Sequence, residues 1–238
     1  MLKAALDIGN TRAKAGIFDN QVLIEKAFWV RWTLPELRDF LQKKGVQKVM
    51  ISTVGVSEAE ILAAFGDMAV LLTPQTPLPF ENRYATPATL GKDRLAAVAG
   101  AFALYPGQDC LVIDSGTCIK YDLIDAAGAY LGGNIAPGAA MRLKAMHAFT
   151  ERLPEAPMAM PEHPVGVSTE TALQNGALLG AVLEMRGYYA LLREQYSSLQ
   201  AILTGGDADF FYKYAQIPGA RVEPDLVLHG LCFLVVSG

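Results

Sequence analysis

The sequence predicts an α/β protein made by duplication: two similar domains, each a mixed sheet flanked by helices, with an inter-domain cleft. Three observations carry this expectation. The first sixteen or so residues read strand, tight turn, strand: Ala4-Ala5-Leu6 ends on Asp7, the turn holds Gly9 and Thr11, and Ala13 to Phe18 returns. The same grammar recurs at Asp114-Ser115-Gly116-Thr117, between the apolar runs Cys110 to Ile113 and Ile119 to Ile124, 107 residues further on (114 minus 7). Each threonine is followed three residues later by a lysine, Lys14 in one copy and Lys120 in the other. Self-similarity of this kind is weighed before any local pattern, and its period here is one domain. The expected domains are residues 1–107 and 108–238. Finally, strand and helix patterns alternate along the chain, as a layered α/β domain requires.

In chain order, Gln21 to Trp32 reads as a third strand with its approach. Thr33-Leu34-Pro35-Glu36 opens a helix, with Thr33 as cap, proline early and acid in the first turn. Leu34, Leu37, Phe40 and Leu41 form its apolar stripe and Gly45 ends it. Val46 to Thr53 reads as a strand, Ser57-Glu58-Ala59-Glu60 as a capping box before a second helix, and Met68 to Leu72 as another strand. From Thr73 to Pro87 four prolines mark an irregular loop, long enough to be functional or disordered. Gly91-Lys92-Asp93-Arg94 then opens a helix through Phe102. An acid and a base there, taken alone, read first as a dipole-complementing cap and salt bridge and only then as chemistry.

In the second half, Gly128 to Ile135 reads as a third strand and Pro137-Gly138 as the start of a helix through Met146. The proline-bearing stretch Leu153 to Val167 is a surface excursion. Ser168-Thr169-Glu170 caps a long helix to about Tyr196, Gln200 to Leu203 forms a strand, and Thr204-Gly205-Gly206-Asp207 allows close backbone approach to a flat ligand or turns into a helix. Asp225 precedes an apolar helix.

The turn chemistry suggests what the hairpins bind. Gly9 admits a ligand that a Cβ would exclude, and free N–H groups with the Thr11 hydroxyl form a concavity for phosphate oxygens. Asp7 suits such a site only through a metal ion or its hydration shell. One such hairpin is ordinary Asp-Gly turn chemistry; two in register are harder to obtain by accident.

Bulk properties narrow the classes. At net charge −4 with no long basic run, nucleic acid and anionic membranes are not indicated as partners. The most apolar stretch, Leu226 to Val236, carries His229 and Gly230 and is too short to span a bilayer. Met1 to Asp7 reaches a charge too soon for a secretory segment, and three cysteines, Cys110, Cys118 and Cys232, an odd count without metal-ligand spacing, suit a reducing compartment. His147, His163 and His229 share no partner spacing and read as structural or surface residues. Neither a Gly-x-x-x-x-Gly-Lys-Ser/Thr loop nor a Gly-x-Gly-x-x-Gly fingerprint occurs, so phosphate chemistry would lie in the hairpins.

The twin Asp-x-Gly hairpins and the late Thr-Gly-Gly resemble the acetate and sugar kinase/Hsp70/actin superfamily, whose domains are ribonuclease H-like (actin-like). Within it, the order Asp7-Ile8-Gly9-Asn10-Thr11, Gly91-Lys92-Asp93-Arg94, Asp114-Ser115-Gly116-Thr117 and Gly132-Gly133-Asn134-Ile135-Ala136-Pro137-Gly138 is similar to type III pantothenate kinases. The resemblance covers nearly the whole chain. It implies ATP-dependent phosphorylation of pantothenate, the first step of coenzyme A synthesis, in a cytoplasmic homodimer. ATP phosphates and magnesium fall to Asp7, Ile8, Gly9, Asn10, Thr11, Arg12, Ala13 and Lys14, with Asp7 reaching magnesium through water and Thr117 touching the nucleotide. Pantothenate falls to Tyr84, Gly91, Lys92, Asp93, Arg94 and Thr169, Asp93 being the base and Arg94 an orienting cation. Asp114 aligns with a ligand for a monovalent cation, K+ or NH4+. The sequence departs from the pattern at Lys120, where many members carry a hydroxyl residue. Its ammonium is expected either to pair outward with Asp122 or to stand beside Asp114 in place of the ion. A kinase for another small alcohol would alter the surroundings of Tyr84, Asp93 and Thr169, and a non-catalytic regulator would lose Asp93.

Overall fold

A computed structural model describes residues 2–9 and 12–237 of the chain. The expected Asn10 and Thr11 therefore lie outside the described residues. The chain forms two units: Met1–Gly107 with Ile124–Leu131 and Asp225–Gly238, and Gln108–Leu123 with Gly132–Pro224.

The first unit begins with β1 (Leu2–Ile8), β2 (Ala13–Asp19) and β3 (Val22–Trp29), followed by α1 (Leu34–Lys43), β4 (Lys48–Thr53), α2 (Glu58–Phe65) and β5 (Ala69–Leu71). The predicted capping box at Ser57 is present, and the predicted cap Thr33 forms one as well. Thr33 and Ser57 each accept a hydrogen bond from the backbone N–H three residues on, and the Glu36 and Glu60 carboxylates each accept one from the backbone N–H of the cap. The sheet runs β3-β2-β1-β4-β5. It is mixed, with β1 antiparallel to β2 and parallel to β4. Its apolar side chains are buried on both faces, as a layered sheet demands. Leu6, Ile8, Ala15, Val49 and Ile51 pack with Leu37, Leu41, Ile61 and Phe65 of α1 and α2.

The proline-rich segment is more ordered than its composition suggests. It holds the two-residue β6 (Glu81–Asn82) and a 3-10 turn over Pro87–Thr89, and leads into α3 (Lys92–Leu104). The second unit starts with β7 (Cys110–Ser115) and β8 (Cys118–Ile124), then β9 (Ala129–Pro137) and α4 (Ala139–Ala148). The head of β9, Ala129 and Tyr130, belongs to the first unit, where it pairs with Glu81 and Asn82 of β6.

The long predicted helix is three pieces: α5 (Thr169–Gln174), a π-helical stretch Asn175–Leu179, and α6 (Gly180–Arg193). Next come β10 (Gln200–Thr204), α7 (Ala208–Ala215), β11 (Arg221–Val222) and α8 (Leu226–Ser237). The second sheet runs β11-β10-β7-β8-β9-β6, with β10 parallel to β7 and to β11.

Sequence division at 107/108 leaves α8 in the second half, whereas its packing puts it in the first unit. The reason is steric fit between glycines. A Cβ at Gly100 of α3 would collide with the Leu226 carbonyl, and one at Gly230 of α8 with the Ala96 carbonyl. The two helices therefore touch backbone to backbone. Together they cover the sheet face opposite α1 and α2, with Leu228 meeting Gly16.

Candidate active site

The first hairpin closes with Gly9 N–H donating to the Arg12 carbonyl at 2.9 Å. Arg12, exposed, stacks its guanidinium 5.7 Å from the Phe28 ring centre. Across the hairpin, Asp7 of β1 stands opposite Lys14 of β2, and on its other side it is in register with Ser52 of β4. Ile8 and Ala13, the next pair, are buried on the opposite face.

The second hairpin repeats this arrangement with a shorter turn, Gly116 N–H donating to the Cys118 carbonyl at 3.0 Å. Here too the lysine meets the aspartate: Lys120 Nζ lies 2.6 Å from Asp114 Oδ2, with side-chain exposures of 17% and 15%. The Lys120 ammonium therefore stands beside Asp114. Asp122 itself is buried rather than outward. Two further segments are pressed on this hairpin. Gly138 donates to the Thr117 carbonyl at 3.1 Å, and a Cβ there would collide with the Gly116 carbonyl. At the end of β10, Gly205 has φ +93, and a Cβ there would fall 2.5 Å from Asp114 Oδ1. Asp207 N–H donates to the Ser115 carbonyl at 3.0 Å, and burial raises the Asp207 carboxyl above its ordinary value of 3.8. Thr117 is exposed and lines a pocket of about 450 Å³ with Met141, Lys144 and Phe149 of the α4 segment.

The third group gathers at the start of α3. Gly91 caps the helix without a side-chain bond, and Asp93 Oδ1 accepts from the Arg94 N–H at 2.9 Å. A Cβ on Gly91 would lie 2.6 Å from that oxygen. Arg94 is 4% exposed; its guanidinium donates to the Tyr84 hydroxyl at 3.3 Å and lies 5.2 Å from the Tyr84 ring centre. Tyr84 in turn stacks on Tyr130, 6.1 Å between centres and 7° from parallel. Lys92 Nζ reaches Glu58 Oε1 at 3.4 Å, which ties this helix start to the start of α2. Tyr84, Gly91, Lys92, Asp93 and Arg94 are thus brought together. Thr169, the first residue of α5, is exposed in the second unit.

Sequence reasoning missed Tyr130, whose partner is set by the two-residue β6, too short to leave a periodic signal. It also missed Ser52 and Thr53, whose hydroxyls are buried without a hydrogen-bond partner. No group of three or more His, Cys, Asp or Glu able to cage a metal occurs among the described residues. His147 Nδ1 pairs with the Leu153 carbonyl at 2.7 Å, and His229 meets the edge of Phe18.

Paired Asp-Gly hairpins, each heading an α/β unit, with a carboxylate–guanidinium–phenol cluster at a helix start, define a kinase of the actin-like fold. A ROK hexokinase from Thermus thermophilus shares that fold, with a TM-score of 0.52 at 17% identity over 98% of both chains. The chain belongs to the type III pantothenate kinase family, whose model matches residues 4–190. Similar relatives of that name occur in Bacteroides fragilis, 42% identical over 95% of this chain and 94% of the relative, and in Phocaeicola vulgatus, 44% identical over 85% of each.

Proposed function

We propose that Asp93 is the general base in the reaction of this family, the ATP-dependent phosphorylation of pantothenate to 4'-phosphopantothenate that opens coenzyme A synthesis. The observation that carries the reading is the cluster of Asp93, Arg94 and Tyr84. A half-buried carboxylate sits at a helix start beside a buried guanidinium that is itself fixed by a phenol. Phosphoryl transfer asks little covalent chemistry of the protein; it needs an aligned alcohol and neutralised phosphate charge. A carboxylate hydrogen-bonding the primary hydroxyl takes its proton late in the transfer, and that is the part given to Asp93. Arg94, held by Tyr84, orients pantothenate together with Gly91 and Lys92, and the resemblance assigns a further pantothenate contact to Thr169.

The hairpin from Asp7 to Lys14 binds ATP phosphates, with Gly9 leaving room for close approach and Lys14 supplying positive charge. Thr117 contacts the nucleotide beside its pocket. Magnesium fits Asp7: one carboxylate without further acidic ligands suits an ion that keeps several waters. The unpartnered Ser52 hydroxyl in register with Asp7 adds a polar atom there that a hydrated ion can use. When bound, magnesium neutralises the β- and γ-phosphate oxygens.

Asp114 fits a monovalent cation only in competition with Lys120, whose ammonium already lies on it. Exposed Met141, Phe149, Val165 and Val167 of the second unit support a homodimer. Among the described residues no helix is long and apolar enough to cross a membrane, in keeping with a cytoplasmic enzyme. The test is a coupled assay of purified protein with ATP, magnesium and a panel of pantothenate-like alcohols. Turnover of pantothenate above the other alcohols is expected; preference for a different alcohol overturns the substrate assignment.

A further inference from the structure

Asp7 belongs to a row of side chains that crosses four strands of the first sheet. Phe28 of β3 is in register with Lys14 of β2, Lys14 with Asp7 of β1, and Asp7 with Ser52 of β4. Residues in register on neighbouring strands share a face, so all four point to the side covered by α3 and α8. The alternate residues Ile8 and Ile51 confirm the assignment, since both pack on the α1 and α2 side. Ser52 is fully buried at 0% exposure, and its hydroxyl has no hydrogen-bond partner. Buried polar groups are nearly always paired, and each exception asks for a reason. Ser52 lies near the C-terminal end of β4, and ligands of open α/β sheets bind beyond such strand ends. The Lys92–Glu58 ion pair brings the start of α3 to the start of α2, the next element after β4.

We propose that Ser52 is a positioning residue for the hydrated metal of the nucleotide site: its hydroxyl donates to the Asp7 carboxylate and accepts from a metal-bound water. A hydroxyl supplies one donor and two acceptor positions, which is what a link between a carboxylate and a coordinated water requires. Such outer-shell partners fix the orientation of a ligand and are worth about 10- to 100-fold in metal affinity or activity. Alanine can make neither bond. Thr53, also buried and unpartnered, is in register with Ile8 on the opposite face, the side of α1 and α2, and is assigned no such task.

The inference rests on Asp7 being the magnesium-side carboxylate, and the experiment separates the two. Full-length wild type, Ser52→Ala, Thr53→Val and Asp7→Asn are compared for binding of Mn2+ with ADP by electron paramagnetic resonance, and for melting without ligand. Ser52→Ala is expected to weaken Mn2+·ADP binding about 10-fold or more, with KM for pantothenate unchanged. Because the unpaired hydroxyl penalises the empty protein, the same variant should melt about 2–4 °C higher without ligand. Thr53→Val should bind Mn2+·ADP as wild type does. Asp7→Asn should lose metal-dependent binding; if it binds normally, the Asp7 assignment falls and takes the Ser52 role with it. If Asp7→Asn fails while Ser52→Ala binds as wild type, only the Ser52 role is overturned. A raised KM for pantothenate with intact metal binding, or a lowered melting temperature, also overturns it.

Discussion

Replacing Lys120 by threonine tests whether a fixed ammonium does the work of a bound ion. The ion pair with Asp114 is 2.6 Å long, and both side chains are more than four-fifths buried. Removing one partner of a fully buried pair costs about 3–5 kcal/mol, because the other charge is left uncompensated. The residual exposure here reduces this to about 1–3 kcal/mol. The Lys120→Thr protein should therefore be less stable than wild type in sodium-only buffer. A cation can re-enter the vacated place beside Asp114, and binding to the folded state alone stabilises by RT ln(1 + [L]/Kd). With 100 mM K+ and a dissociation constant near 10 mM, the return is about 1.4 kcal/mol. For a chain of this size that is a rise of about 3–6 °C in melting temperature. The assay is thermal melting and coupled turnover of both proteins in sodium buffer and with added K+ or NH4+. Wild type should respond little and Lys120→Thr strongly. Equal, strong activation of both proteins by K+ would refute the reasoning, since the ion would then bind with the lysine in place.

Three other outcomes are expected. Asp93→Asn should fold and bind ATP but lose about 10²–10⁴-fold in kcat; turnover near wild type by the coupled assay removes Asp93 from the base role. Asp207 has a folded-state carboxyl pKa raised by burial, so its stability contribution is fully present below about pH 3.8 and is lost as pH rises through the raised value. Asp207→Asn should accordingly stabilise the protein at pH 7 in denaturant titrations, with the gain vanishing below pH 3.8. Gly138→Ala puts a methyl group on the Gly116 carbonyl, and the resulting displacement should lower stability by about 1–3 kcal/mol. It should also weaken nucleotide binding measured by calorimetry.

What the sequence disclosed was local and what it withheld was pairing. Thr33-x-x-Glu36 and Ser57-x-x-Glu60 specify their caps within four residues, and Asp-x-Gly turns announce themselves because glycine and a strand-ending acid have few other uses. The cluster at Asp93 was legible as residues but not as geometry, because Tyr84 is steered by Tyr130, 46 residues away, through a strand of two residues. Ser52 carried no signal at all. A serine in the apolar run Val49 to Thr53 is unremarkable until its register with Asp7 and its missing partner are known. Lys120 shows the same limit, since period-2 alternation puts it on the face of Asp122 and leaves the choice between Asp122 and Asp114 to the fold.

The return of α8 to the first unit has a consequence for biogenesis. The face of the first sheet that bears Asp7, Lys14 and Ser52 is covered in part by a helix translated only after the entire second unit. While the nascent chain lengthens, Ala96 to Gly100 of α3 and the apolar flank of β1 await a partner more than 120 residues downstream. Such late, non-local closure slows folding and leaves apolar surface open to association meanwhile. That face of the first sheet is thus closed only once the second unit has been made. A ribosome stalled within the second unit would display a first unit with its α8-bearing face still uncovered, a natural substrate for chaperones.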